Sequence, residues 1–166
     1  RTGLGEHIEL SMLDTAVAFM WPDAGADATL QGEDIEHRPP ISAAGQLVEL
    51  ADGWAAFMTL SDGEFTGLCR ALDLDALRAD PMFQTLTSRQ RNRQAYSDRL
   101  KEALLKTKSM TVEAFLAKLD AEQVPVASVK RLEDLHNDPQ LIANEVFRER
   151  DHPVAGKMRE ARPAAR

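Results

Sequence analysis

The tightest constraint on this chain is local. Two short runs, Gln46 to Leu50 and Trp54 to Leu60, are rich in Leu, Val, Phe and Trp and are separated by Ala51-Asp52-Gly53. An Asp-Gly pair between apolar runs supplies the positive φ that a tight reversal needs, so the spacing predicts a β-hairpin. Ser61-Asp62-Gly63-Glu64 follows at once and has the form of a helix capping box, with Phe65, Leu68, Cys69 and Leu72 on one helical face behind it. A hairpin running directly into an amphipathic helix sets the class as α+β.

The rest of the chain extends this pattern. Leu10, Leu13, Val17 and Met20 recur at helical spacing within His7 to Trp21, and Ser11 suits the N-cap. From Pro22 to Gly45 the chain is punctuated by Pro22, Gly25, Gly32, Pro39, Pro40 and Gly45, which reads as a long connection between two structural units. Asp80-Pro81 interrupts the helix after Ser61. Thr87 to Lys106 is then polar, with a narrow stripe at Tyr96, Leu100, Ala103 and Leu104, as expected of a surface helix. Thr111 can cap another helix, with Met110 and Phe115 as a hydrophobic staple and Pro125 as its stop. Val126 to Val129 has strand character and should pair with the hairpin. Asp138-Pro139 can start a short helix through Asn144. Phe147 to His152 and Lys157 to Arg159 flank Pro153-Val154-Ala155-Gly156 and suggest a terminal hairpin. The expected fold is α+β, a small antiparallel sheet covered by helices.

Composition removes several function classes. A net charge of -7 and a pI near 5.1 leave no electrostatic footprint for nucleic acid and disfavour an anionic membrane surface. Cys69 is the only cysteine, so the chain can build neither a disulfide framework nor a thiolate zinc site, in keeping with a reducing cytoplasm. No apolar run approaches the roughly 20 residues of a membrane span, and no signal-peptide pattern opens the chain, so a soluble protein is expected.

Residue types that carry chemistry have plainer explanations. His7, His37, His136 and His152 have no spacing that places two on one helical turn, so no metal site is expected. Ser11 and Ser61 lack a nucleophile-elbow context and read as caps. Cys69 falls on an apolar helix face, where a buried thiol is a poor nucleophile. Gly3-Leu4-Gly5 is too short for a phosphate-binding fingerprint. Arg89, Arg91, Arg93 and Arg99 could form a phosphate patch, but Asp98 and Glu102 interleave with them, and a solvated face is the expectation. Spacing alone yields no active site.

Order along the chain adds what spacing does not. Gly3-Leu4-Gly5-Glu6-His7-Ile8-Glu9-Leu10-Ser11-Met12-Leu13-Asp14 resembles the Gly-x-Gly-Gln-x-Val-Asp-Val-Ser-Leu-Leu-Asp segment of the family III CoA-transferases, the CaiB/BaiF family. The Asp52-Gly53-Trp54 hairpin followed by Phe65 and Leu68-Cys69 is similar to that family's next landmark. Asp80-Pro81-Met82-Phe83, the Arg89 to Arg93 stretch, Val124-Pro125-Val126-Ala127-Ser128-Val129, Asp138-Pro139-Gln140 and His152-Pro153-Val154-Ala155-Gly156 resemble later motifs in the same order. Glu6 departs from the usual Gln, and Asp23 to Gly45 has no recognisable counterpart.

The resemblance implies an internal piece of a two-domain protein whose large Rossmann-like domain is made from both chain ends, with a small domain inserted between. Residues 1–21 would be a helical remnant of the large domain, 22–45 an interdomain linker, 46–160 the small α+β domain, and 161–166 the start of the return linker. Arg1 in place of a start methionine, and the end at Arg166, fit excision from a longer chain. Two full-length chains would interlock as a homodimer. The implied reaction moves CoA between an acyl-CoA thioester and a carboxylic acid through an aspartate that would lie before Arg1, so the fragment is expected to be inactive alone and to need no metal. A CoA racemase on the same scaffold is the alternative enzyme, and a non-catalytic interaction module the alternative class. Some racemase-like members have an acidic residue just ahead of the hairpin, where Glu49 stands, which would support an acid-base pair. Strand alternation alone places Glu49 toward solvent, opposite to Val48 and Leu50.

Overall fold

A computed structural model describes residues 9–35 and 40–163, together with residues 3, 5 and 7. His37, the Leu4, Glu6 and Ile8 positions of the N-terminal motif, and residues 164–166 lie outside the described residues. The chain divides into two compact units, Arg1–Ala127 and Ser128–Arg166.

The first unit contains the sheet. Strands β1 (Gln46–Leu50) and β2 (Gly53–Phe57) are antiparallel, with Val48 opposite Ala55 and Leu50 opposite Gly53. The turn is tied down from outside: the Asp52 carboxylate accepts from the Val112 N–H at 2.7 Å, and the Ala51 N–H donates to the Met110 carbonyl. One hairpin turn thereby also caps the entry to helix α7 (Val112–Ala121). Strand β3 (Val126–Ser128) lies beside β2, so the sheet order is β1-β2-β3. Val48, Leu50, Ala55 and Phe57 point to one face and are buried, while Leu47 and Glu49 are exposed, the alternation expected of a sheet with one covered face.

Helix α3 (Asp62–Ala71) begins at the expected capping box, in which the Ser61 hydroxyl accepts from the Glu64 N–H and the Glu64 carboxylate accepts from the Ser61 N–H. It buries Phe65, Leu68 and Cys69. The short α4 (Asp75–Ala79) adds Leu77, α7 adds Phe115 and Leu119, and Phe83 fills the space between. Each fully buried Leu or Phe contributes on the order of 1.5–3 kcal/mol, so these side chains dominate the stability of the unit. The expected α+β class, a small antiparallel sheet covered by helices, is the fold the chain adopts.

Gly67 on α3 packs tightly against the chain that leaves α7. A Cβ there would stand 2.6 Å from the Glu122 carbonyl oxygen and 3.1 Å from Val124 Cγ2. Gly to Ala in an open helix usually stabilises by about 1 kcal/mol. Here the obstacle is backbone, which cannot swing away, so Gly67→Ala is expected to destabilise by about 2 kcal/mol, a reversal of sign measurable by urea unfolding.

Two stretches differ from expectation. Helix α1 (Met12–Ala24) starts after the Ser11 cap but runs through Pro22, and the connection that follows holds the one-turn α2 (Ala26–Thr29) and a 3-10 turn at Ile41–Ala44. A proline removes one N–H from the ladder, and this one comes where only the last turn remains to be built. None of the residues of α1 is buried, and Leu13, Val17, Met20 and Trp21 are exposed. The expected Thr87 to Lys106 helix is instead two helices, α5 (Leu86–Arg91) and α6 (Arg93–Leu104). Thr85 and Ser88 cap α5 reciprocally, and the Asn92 side-chain amide at the junction donates to the carbonyls of Met82 and Ser88, adding side-chain bonds where the two helices meet.

In the second unit the Asp138 carboxylate accepts from the N–H groups of Gln140 and Leu141 to start α8 (Pro139–Ala143). Strands β4 (Phe147–His152) and β5 (Gly156–Ala161) form the terminal hairpin, two residues longer at its end than the sequence suggests. Cross-strand pairs Arg159–Glu149 and Arg150–Glu160 supply that length. At the tip, His152 Nδ1 accepts from the Val154 and Ala155 N–H groups at 3.2 and 3.1 Å, and Gly156 takes a positive φ of 74°.

Candidate functional site

Glu49 occupies the open face of β1. Its carboxylate is exposed and 3.5 Å from Lys108 Nζ, in a loose surface ion pair. Val48 and Leu50 on either side are buried, so the side chain points away from the core of its own unit, as alternation predicts.

The remaining candidates are placed by structural duties. The Ser11 and Ser61 hydroxyls are both spent on helix caps. His7 stands 3.2 Å from Glu9, both exposed, and His152 shapes the β4–β5 turn. Among the described residues, no three His, Cys, Asp or Glu side chains converge as metal ligands would.

Cys69 is fully enclosed in the core, and burial pushes its thiol up from 9.0 to about 11. Arg78 and Arg89 act in the opposite direction without reversing the effect. The neutral thiol is therefore favoured by folding. Its stabilising contribution is intact below pH 9 and is lost as pH rises toward 11, because the unfolded chain releases the proton first. Stability should fall across that window with a slope approaching 1.4 kcal/mol per pH unit, and Cys69→Ala should flatten the profile.

Arg89 corrects the reading of the arginine group as a solvated face. Its side chain is only 3% exposed. One guanidinium nitrogen donates to the Phe83 carbonyl at 2.8 Å, and the other donates to Asp62 at 2.9 Å and to the Ser61 carbonyl at 3.2 Å. The guanidinium carbon also lies 4.3 Å from the centre of the Phe65 ring. Arg89 thus joins the start of α3 to α5 and to the Phe83 loop. Arg91, Arg93 and Arg99 are exposed, as expected.

Spacing did not single out Thr59, and it placed Tyr96 only on the apolar stripe of a surface helix. Thr59 is buried and Tyr96 is partly buried against the core, with its hydroxyl enclosed and Thr59 the neighbouring hydroxyl that lowers its pKa by hydrogen bonding. Burial is the main cause that raises the Tyr96 pKa, with Thr59 and Arg89 opposing it. Phe65 and Phe83 pack on the Tyr96 ring at centroid distances of 6.0 and 5.6 Å and fix its orientation. A tyrosine on a helix stripe carries no sequence mark that would separate this position from ordinary core.

Comparison with known proteins supplies what the side chains do not. The sequence profile of CoA-transferase family III matches residues 1–166. A succinyl-CoA:mesaconate CoA-transferase from Haloarcula marismortui is 27% identical over 161 residues, covering 93% of this chain and 38% of that protein. The human succinyl-CoA:glutarate CoA-transferase is 25% identical and is matched by all of this chain, again over 38% of its own length. The chain therefore spans well under half the length of these relatives. The crystal structure of a CaiB/BaiF family protein from Brucella suis superposes with a TM-score of 0.60 at 22% identity, covering 97% of this chain and 45% of that one. The Mycobacterium tuberculosis protein Rv3272 gives 0.67 at 20% identity, covering 100% and 42%. The match runs from one end of the sequence to the other and the fold agrees with it: the chain belongs to CoA-transferase family III.

Proposed function

We propose that the protein containing this chain transfers CoA between carboxylic acids, and that residues 46–160 are its small domain, joined by the linker 22–45 to a large domain of which residues 1–21, with most of α1 (Met12–Ala24), are a remnant. The observation that carries this reading is the family match over residues 1–166, a whole-chain likeness rather than one motif. The exposed apolar side chains of α1 support its assignment to another body, since a helix with Leu13, Val17, Met20 and Trp21 uncovered needs a surface to bury them.

In the proposed reaction an aspartate outside this chain attacks the thioester carbonyl of the donor. The C–S bond breaks, CoA leaves as the thiolate and a mixed anhydride forms. The thiolate then attacks the aspartyl carbonyl, releasing the donor acid and leaving CoA as an aspartyl thioester. The acceptor carboxylate reverses both steps, and no metal or redox partner is required. Succinyl-CoA with mesaconate or glutarate is the substrate set to test first, because relatives carry those names. Those names also support transfer over racemisation. Glu49 is the one acid of this chain proposed to assist, from the uncovered face of β1, and a homodimer is the proposed assembly.

The test uses the intact protein. CoA exchange between succinyl-CoA and labelled mesaconate or glutarate is followed by mass spectrometry, and the enzyme-bound thioester is trapped with borohydride. A trapped carboxylate upstream of Arg1 supports the reading. Loss of the α-proton without CoA exchange would replace it with the racemase.

A further inference from the structure

The tip of the β4–β5 hairpin is closed by one side chain. His152 pairs with Gly156 in the strand register, so Pro153, Val154 and Ala155 alone form the loop between them. Pro153 has no N–H; its ring fixes its own φ and keeps the residue before it extended. The two loop residues that do carry an N–H both direct it at His152 Nδ1, Val154 at 3.2 Å and Ala155 at 3.1 Å. Gly156 then turns the chain back with a φ of 74°, which a residue with a Cβ rarely adopts. Both N–H donors of the loop thus converge on one nitrogen.

An acceptor in that position must present a bare lone pair. The neutral ring therefore carries its proton on Nε2, and an added proton would go to Nδ1. That proton would face two N–H groups already pointing at it. Both bonds would be lost together, so the closed turn and the protonated ring exclude each other. A side-chain amide in the same place would behave differently, because its carbonyl oxygen accepts at any pH, whereas imidazoles as a class change charge between about pH 5 and 8.

The neighbouring charges do not replace these two bonds. By strand alternation His152 shares its face with Arg148, Arg150 and Glu160, and Arg150 is ion-paired with Glu160. Asp151 and Lys157 stand opposite each other on the other face, as do Glu149 and Arg159, which form an ion pair. From outside the hairpin, His136 acts on Glu149, again on the face away from His152. Among the described residues, no carboxylate lies within ion-pair distance of His152. The half-buried ring has the turn's own N–H groups as its partners.

We infer that His152 is a proton-operated latch on the terminal hairpin: the neutral ring closes the β4–β5 turn, and the imidazolium releases the N–H groups of Val154 and Ala155 so that the tip opens. What the latch positions is Val154, whose side chain is 91% exposed at the tip. The inference does not depend on the transferase reading, because none of these residues is placed in the proposed reaction.

The experiment uses the intact protein, labelled with 15N at His, Val and Ala, and follows ring and amide signals by NMR from pH 8 to pH 5. At pH 8 the His152 ring is expected to be protonated at Nε2 and bare at Nδ1. After correction for the intrinsic effect of pH on exchange, the Val154 and Ala155 amide protons should exchange about tenfold faster at pH 5 than at pH 8. Ala55, buried in the three-stranded sheet, should show no such change. His152→Asn supplies an oxygen that accepts at any pH, so it should keep both amides protected and abolish the response. His152→Leu should leave both amides fast at either pH, and His136→Asn should respond as the parent does. A proton on Nδ1 at pH 8, a response that survives in His152→Asn, or one shared by Ala55 and therefore due to acid unfolding, would each overturn the proposal.

Discussion

Incubated with succinyl-CoA and a range of carboxylic acids, the 166-residue chain by itself is expected to exchange CoA at a rate at least several orders of magnitude below that of the intact protein. The size of the loss follows from what is missing. If the nucleophile is an aspartate outside the chain, the covalent path through an anhydride and an enzyme thioester cannot start, so the route itself is removed rather than one step slowed. Nothing found among the described residues offers a substitute. The Cys69 thiol is sealed in the core with its pKa pushed up to about 11, the serines at 11 and 61 cap helices, and Glu49 is an exposed carboxylate beside Lys108. Measurement by mass spectrometry of labelled acids should show only the uncatalysed background. Turnover by the chain alone that vanishes in Glu49→Gln would move the essential carboxylate into this chain and sink the assignment of the catalytic centre.

How much could be read in advance depended on the range of the interaction. The β1–β2 hairpin and the Ser61 capping box involve partners within a few residues of each other, so Ala51-Asp52-Gly53 and Ser61 to Glu64 announce them directly, although neither Asp52 nor Gly53 takes the positive φ expected of the turn, which is held instead by bonds to Met110 and Val112. The solvent-facing position of Glu49 followed from alternation with Val48 and Leu50 for the same reason. The split of the polar helix had a local signal too, the Thr85 and Ser88 reciprocal cap, but it was hidden by the continuous polar composition through Lys106. A groove in the first unit had no local signal at all. Its walls come from residues 40–46, 59–60 and 86–97, and only the fold brings them together. The family assignment rests on motif order along the chain, which carries history rather than physics and therefore did not reveal a single catalytic side chain within these residues.

Arg89 is the clearest case of a residue whose neighbours in sequence mislead, and it yields the largest stability effect expected from a polar substitution here. Among the arginines it reads as one more charge on a wet helix. The fold instead encloses it, with the guanidinium donating to two carbonyls and one carboxylate and lying over Phe65. Arg89→Met keeps most of the stem's packing but removes every donor. The Phe83 carbonyl would then be left without its guanidinium partner in the core, at a cost of about 1–3 kcal/mol. Loss of the charge-assisted bond to Asp62 adds less than a buried pair would, because the Asp62 side chain is 54% exposed and can be rehydrated. A total of about 3 kcal/mol is expected, a large share of the 5–15 kcal/mol that holds a typical domain folded. Arg89→Lys should lose nearly as much, since a single ammonium cannot span acceptors on two sides as the planar fork does. Arg91→Met and Arg99→Met, at exposed positions, should stay within about 0.5 kcal/mol of the parent. Urea unfolding of the four variants gives the comparison, and a double-mutant cycle with Asp62→Asn should return a coupling of about 1 kcal/mol between the two side chains. If Arg89→Met cost no more than Arg91→Met, the network joining α3, α5 and the Phe83 loop would contribute nothing to stability, and the solvated-face reading of the arginines would be restored.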